Sequence, residues 1–171
     1  MNRNKFLRTG LVTASAVIAT PALLFSKNTI PNQDSPQLDK ELVAKFVGAG
    51  HSKIDVVKEL LEEHPTLINA AHDWRDGDFE TALGAATHVG YKKLAQYLID
   101  KGAQTNLFTA AMFGRMDIIK PMLEYFPNSL HAKGPHGYTL LHHANAGGDE
   151  AAPVVEYLKS LGAKETKIAL Y

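Results

Sequence analysis

Cysteine is absent from this 171-residue chain, which excludes disulfide scaffolds, thiolate nucleophiles, thiolate-bound zinc and iron–sulfur clusters. Charge of one sign is not in excess: 18 basic residues face 18 acidic ones, so no basic field invites nucleic acid. No Gly-x-Ser-x-Gly nucleophile elbow occurs. Gly48-Ala49-Gly50 and Gly147-Gly148 lack the Gly-Lys-Ser/Thr continuation of a phosphate loop and read as turns. No apolar run reaches the roughly 20 residues of a membrane-spanning helix.

The apolar run that does stand out begins at Leu11 and ends at Phe25, interrupted by Pro21. Arg3, Lys5 and Arg8 precede it without an acid among them. A positive segment followed by a short apolar one predicts an export signal over residues 1–25. Arg3-Asn4-Lys5-Phe6-Leu7-Arg8 resembles a bacterial twin-arginine signal, with Asn4 where the second arginine belongs. The route is therefore twin-arginine-like or general secretory, with the bacterial periplasm as the expected address. Membrane contact is expected only through this segment, if it is not cleaved. Residues 26–37, with two prolines and many small polar residues, read as a flexible linker.

Beyond the linker the chain resembles itself. Ile54-Asp55-Val56-Val57-Lys58-Glu59-Leu60-Leu61-Glu62 aligns with Met116-Asp117-Ile118-Ile119-Lys120-Pro121-Met122-Leu123-Glu124, and the same offset carries Pro65 onto Pro127 and Phe46 onto Phe108. A second pairing joins Thr81-Ala82-Leu83 to Thr139-Leu140-Leu141 and continues through Ala86 onto Ala144 and Gly90 onto Gly148. Each unit reads as two short helices. One helix is rich in small residues, and the other has larger apolar residues at helical spacing, such as Leu94, Tyr97 and Leu98, before a glycine stop. Such a unit cannot bury its apolar face alone, so the units stack. Pro121 conflicts with the pattern, since an interior proline costs a helix about 3 kcal/mol.

Thr139-Leu140-Leu141-His142-His143-Ala144 resembles the opening of an ankyrin repeat, Thr-Pro-Leu-His-x-Ala, in all but the proline. Thr81-Ala82-Leu83-Gly84-Ala85-Ala86 and Thr105-Asn106-Leu107-Phe108-Thr109-Ala110 keep the threonine, leucine and last alanine. The resemblance implies an all-α, ankyrin-like solenoid of about four helix pairs over residues 38–164, with 165–171 as a C-terminal tail. It implies structural roles for Thr81, Thr105, Thr139 and His142, the histidine bonding backbone between neighbouring units. It also implies a protein partner, bound without catalysis.

Equivalent positions fall at 43, 81, 105 and 139. The two long steps leave room for projecting fingers near residues 71–79 and 133–138, flanking a gap where the short step allows none. The first finger holds the only tryptophan, Trp74, with Arg75, Asp76, Asp78 and Phe79; the second holds His136 and Tyr138. Tryptophan and arginine favour binding hot spots, so these seven residues are the expected partner contacts. They have a packing alternative, in which Trp74 and Phe79 fold back on the helices and Asp76-Gly77 makes the turn.

The eight histidines fit no zinc signature: His142 and His143 are adjacent, and no His-x-x-x-His pair with a neighbouring glutamate occurs. A structural role is expected for them, with no metal and no cofactor. Two other readings remain: a small metal-binding or hydrolytic protein using the cluster around His136, His142 and His143, with His72 and His88 near it; or a small-molecule receptor in the gap.

Overall fold

A computed structural model describes residues 36–171. The export segment expected over 1–25, and nearly all of the linker expected over 26–37, lie outside the described residues. What is described is all-α apart from one small hairpin. In chain order it comprises α1 (Lys40–Ala49), α2 (Ile54–Glu63), β1 (Ala71–Asp73), β2 (Phe79–Thr81), α3 (Ala82–His88), α4 (Lys92–Asp100), α5 (Leu107–Met112), α6 (Met116–Tyr125), α7 (Leu140–Ala146) and α8 (Ala152–Ser160). Short 3-10 turns follow α2 at Pro65–Asn69 and α6 at Pro127–His131, each opened by a proline that needs no N–H partner there.

Helix starts follow from side chains able to satisfy the free N–H groups of a first turn. Asp39 accepts from the Leu42 N–H, Thr81 from Gly84 and Thr139 from His142. At α5 the cap is Asn106, whose Oδ1 accepts from the Thr109 N–H at 3.0 Å. Thr105, expected at the equivalent of Thr81, therefore stands one residue outside the helix. Asparagine caps as well as threonine does, which moves the local register by one. α6 continues through Pro121, whose exposed position lets the carbonyl deprived of its donor, on exposed Asp117, meet water.

α1 packs on α3, α3 on α5, and α5 on α7, while α2, α4, α6 and α8 each pack against the helix before them in the chain. Ala85, Ala86, Ala111 and Ala144, all fully buried, keep the helices close. Phe46, Leu67, Leu94 and Leu98 fill one apolar cluster, and Ile119, Leu140, Val154 and Leu158 another. Gly90 has a φ of +72°, and a Cβ there would lie 2.5 Å from the Ala146 carbonyl. The turn after α3 can thus approach α7 only without a side chain.

The stretch expected as a tail, 165–171, runs along the second finger. The Thr139 N–H donates to the Thr166 carbonyl, and the Ile168 N–H to Gly137. Lys133 Nζ donates to the Ala169 carbonyl at 2.7 Å.

Candidate functional site

The first finger is the antiparallel hairpin β1–β2, pairing Ala71 with Thr81 and Asp73 with Phe79. Its turn takes positive φ at Asp76 and Gly77, tolerated by those residue types, and the Gly77 N–H is held by Asp73. The second finger is a short 3-10 turn over Pro135–Gly137. Its tip residue, His136, has a φ of +57°, an uncommon conformation for a side-chain-bearing residue that persists where surrounding bonds fix it.

Those bonds come from the other finger. The backbone N–H and the ring Nδ1 of His136 each lie 2.7 Å from the Asp78 carboxylate. The tips therefore meet and roof over the expected gap. The reason lies in the short connection after α4: no finger stands between them, so the second one reaches the first.

Period two along β2 sends Glu80 to the opposite face from Phe79 and Thr81. Glu80 is 1% exposed and receives three imidazoles. His88 Nδ1, from the end of α3, lies 3.1 Å from its Oε1; His136 Nε2 and His51 Nε2 lie 3.5 and 3.6 Å from its Oε2. One ligand-type atom from each of these four residues falls within 4.8 Å of all the others. Trp74 Nε1–H donates to Glu80 Oε2 at 2.8 Å, while Oε1 faces His88 Nδ1. Glu80 Oε1 and His88 Nδ1 are both buried without a hydrogen-bond partner.

Ring orientation is set from behind. The Asp78 carboxylate fixes Nδ1 of His136, and the Gly48 carbonyl, 3.1 Å from Nδ1 of His51, fixes that ring. With protons on both Nδ1 atoms, both Nε2 lone pairs face the Glu80 carboxylate. Lone pairs aimed at a carboxylate repel it unless a cation lies between them, either a proton or a metal ion.

Burial pushes the Glu80 carboxyl up, but the His88 ring, the Trp74 N–H and His51 outweigh it and hold it below the ordinary carboxylate value. Burial likewise raises Asp78, and the backbone and ring of His136, with Arg75, bring it below its ordinary value. The floor of the site thus carries ionised oxygen.

Of the residues expected to contact a partner, Phe79 is 61% and Trp74 38% exposed. Arg75 and Asp76 are exposed at the turn, whereas Asp78 is buried in its bond to His136. Tyr138 stacks on the His142 ring at 3.9 Å, with Lys167 Nζ 4.7 Å from its own ring centre. It is packed as much as presented.

The histidines grouped by sequence separate. His142 donates from Nε2 to the His88 carbonyl at 2.8 Å, and His143 is fully buried beside Phe108. Of that group His136 and His88 join the cluster, where they meet His51 and Glu80, two residues the sequence did not single out. The available signal for Glu80 was its place directly before a helix cap, in a strand that alternates Phe79 out and Glu80 in.

No protein-family profile matches the chain. The chain is similar to alpha-latrocrustotoxin-Lt1a of Latrodectus tredecimguttatus, with 30% identity over 119 residues. The match takes in 65% of this chain and 8% of the toxin, so the chain spans less than a tenth of the length of that curated relative.

Proposed function

We propose that this chain is an ankyrin-type helical array, exported to the bacterial cell envelope, whose inner face binds one divalent transition-metal ion between its two finger tips. The observation that carries the reading is the convergence of His51, Glu80, His88 and His136, with Glu80 Oε1 and His88 Nδ1 buried against each other at 3.1 Å and without any other partner. Four ligands about 2.1 Å from a tetrahedral ion lie about 3.4 Å apart. His88 lies 3.1 Å from Oε1 and the other two rings 3.5 and 3.6 Å from Oε2. One ligand atom from each residue falls within 4.8 Å of the rest, so a small inward movement of the rings reaches that spacing. Three imidazoles and one carboxylate favour zinc over calcium or magnesium, which take oxygen ligands. The bonds from Asp78 and Gly48 to the far ring nitrogens are the kind that orient metal-binding histidines.

The array reading is supported by the serial packing of α1, α3, α5 and α7 and by threonine caps at α3 and α7; the His142 bond reaches the backbone at the end of α3, two pairs back, rather than the adjacent pair. The role is binding; no reaction is assigned.

Titration of the full chain, purified without an affinity tag and stripped of metal, tests the proposal. One equivalent of zinc should bind and change the fluorescence of Trp74. Cobalt should give the absorption of a tetrahedral nitrogen–oxygen site. Glu80→Gln and His88→Ala should each weaken zinc binding at least tenfold. Absence of stoichiometric binding of zinc and cobalt would overturn it.

The exposure of Phe79 and Trp74 at the rim favours a second reading, recognition of an envelope protein by the same tips. On that reading Arg75→Ala and Phe79→Ala reduce crosslinking to the partner in intact cells and leave zinc affinity unchanged. Equal crosslinking in wild type and variants would dispose of it.

A further inference from the structure

Beneath the joined tips, in the space where the middle helix pair has no finger, lies a cavity of about 280 Å³. None of the four clustered residues lines it. Asp78 does, with its carboxylate already committed to His136. From this cavity the geometry points to a second binding site, separate from the metal centre, for a compact neutral polyhydroxylated ring of monosaccharide size.

The polar groups of the wall decide the charge and the hydrogen-bonding pattern of the occupant. The two charged side chains in it are already engaged: Asp78 with His136, and Lys133 with the Ala169 carbonyl. A charged ligand would compete with these bonds for the same groups. What remains uncommitted is neutral. His143 is fully buried. Its Nδ1 bonds the Thr139 carbonyl at 2.9 Å, which places the ring proton there and leaves Nε2 an acceptor. That Nε2 is buried with no partner, a costly state unless something donates to it. The Asn106 Oδ1 is taken by the N–H and hydroxyl of Thr109, so its NH₂ has donors to give. The Thr81 hydroxyl oxygen accepts from the Gly84 N–H and retains its own proton.

Two neutral donors at the wall, with an unpartnered acceptor on a buried wall residue, suit hydroxyl groups, which both give and take. The apolar part of the wall includes the rings of Phe79 and Phe108. Aromatic rings pack against the C–H faces of a sugar ring while its edge carries the hydroxyls. Such a mixture of apolar surface with a few placed polar groups is what small-molecule sites use.

The experiment is saturation-transfer NMR on the full chain with D-glucose, D-galactose and N-acetyl-D-glucosamine, run with zinc and after chelation. At least one sugar should bind saturably in both conditions and shift the imidazole nitrogens of His143. Phe79→Ala, at an exposed position where folding is insensitive, should weaken that binding at least fivefold. His143→Phe, which keeps a ring and deletes the acceptor, should weaken it at least tenfold. Failure of all three sugars to bind, or binding unchanged in Phe79→Ala, would overturn the proposal. Zinc affinity in the same samples is read independently, so the two sites stand or fall separately.

Discussion

Asp78 and His136 stand 58 residues apart in the chain and meet at 2.7 Å through two bonds, one to the ring and one to the backbone. This pair joins the fingers and orients a nitrogen toward Glu80. Asp78→Asn keeps the shape and loses the charge. Zinc affinity should fall 10- to 100-fold, as is usual when a group orienting a metal-binding histidine is changed, while far-ultraviolet circular dichroism stays the same. Competition titration against a chromophoric chelator reads the first quantity.

Metal should also stabilise the fold, because its four donors come from α1's following turn, the hairpin, α3 and the second finger. At free zinc 100-fold above the dissociation constant, binding to the folded state alone adds about 2.7 kcal/mol. Thermal denaturation of the stripped chain with and without zinc should show the rise, and Glu80→Gln should abolish it. Amide exchange in residues 134–138 should slow most.

His143 makes stability depend on acid. Burial, with the neighbouring His142 and His88 rings, lowers its imidazole from 6.5 to about 4, despite the bond to the Thr139 carbonyl. Between those values the unfolded chain takes up a proton that the folded chain refuses. The contribution is therefore complete above pH 6.5 and declines as pH falls toward 4, by at most about 1.4 kcal/mol per unit. Urea unfolding across that range should show the slope, and His143→Phe should reduce it.

Two glycines with similar backbone angles should respond differently. Gly90→Ala meets the Ala146 carbonyl at 2.5 Å, whereas Gly102→Ala meets nothing within 4 Å. Both bear the cost of positive φ, about 1–2 kcal/mol, but Gly90→Ala must also push α7 away. Its loss of stability in chemical denaturation should be clearly the larger.

Much of the fold was legible because helix pairs announce themselves. Leu94, Tyr97 and Leu98 recur at helical spacing, Gly102 stops the helix, and Thr81 and Thr139 begin the ones that follow them. The fingers were legible from uneven spacing alone. The cap of α5 was not legible, because Thr105 and Asn106 stand side by side and either residue type can cap. The cluster was not legible, since His51, Glu80, His88 and His136 have no fixed separation along the chain. They meet only because β2 alternates its faces and the second finger leans over the missing one. Sequence adjacency pointed instead to His142 and His143, which a helix turns toward different neighbours.

The direct run from Gly102 to Asn106 into α5 has a consequence for how this molecule can change. Lengthening the chain there by one ordinary tip would wedge a third projection between Asp78 and His136. A further helix pair inserted beside α5 and α6 would likewise draw those two residues apart. The bond between Asp78 and His136 therefore leaves no room for an insertion at this connection.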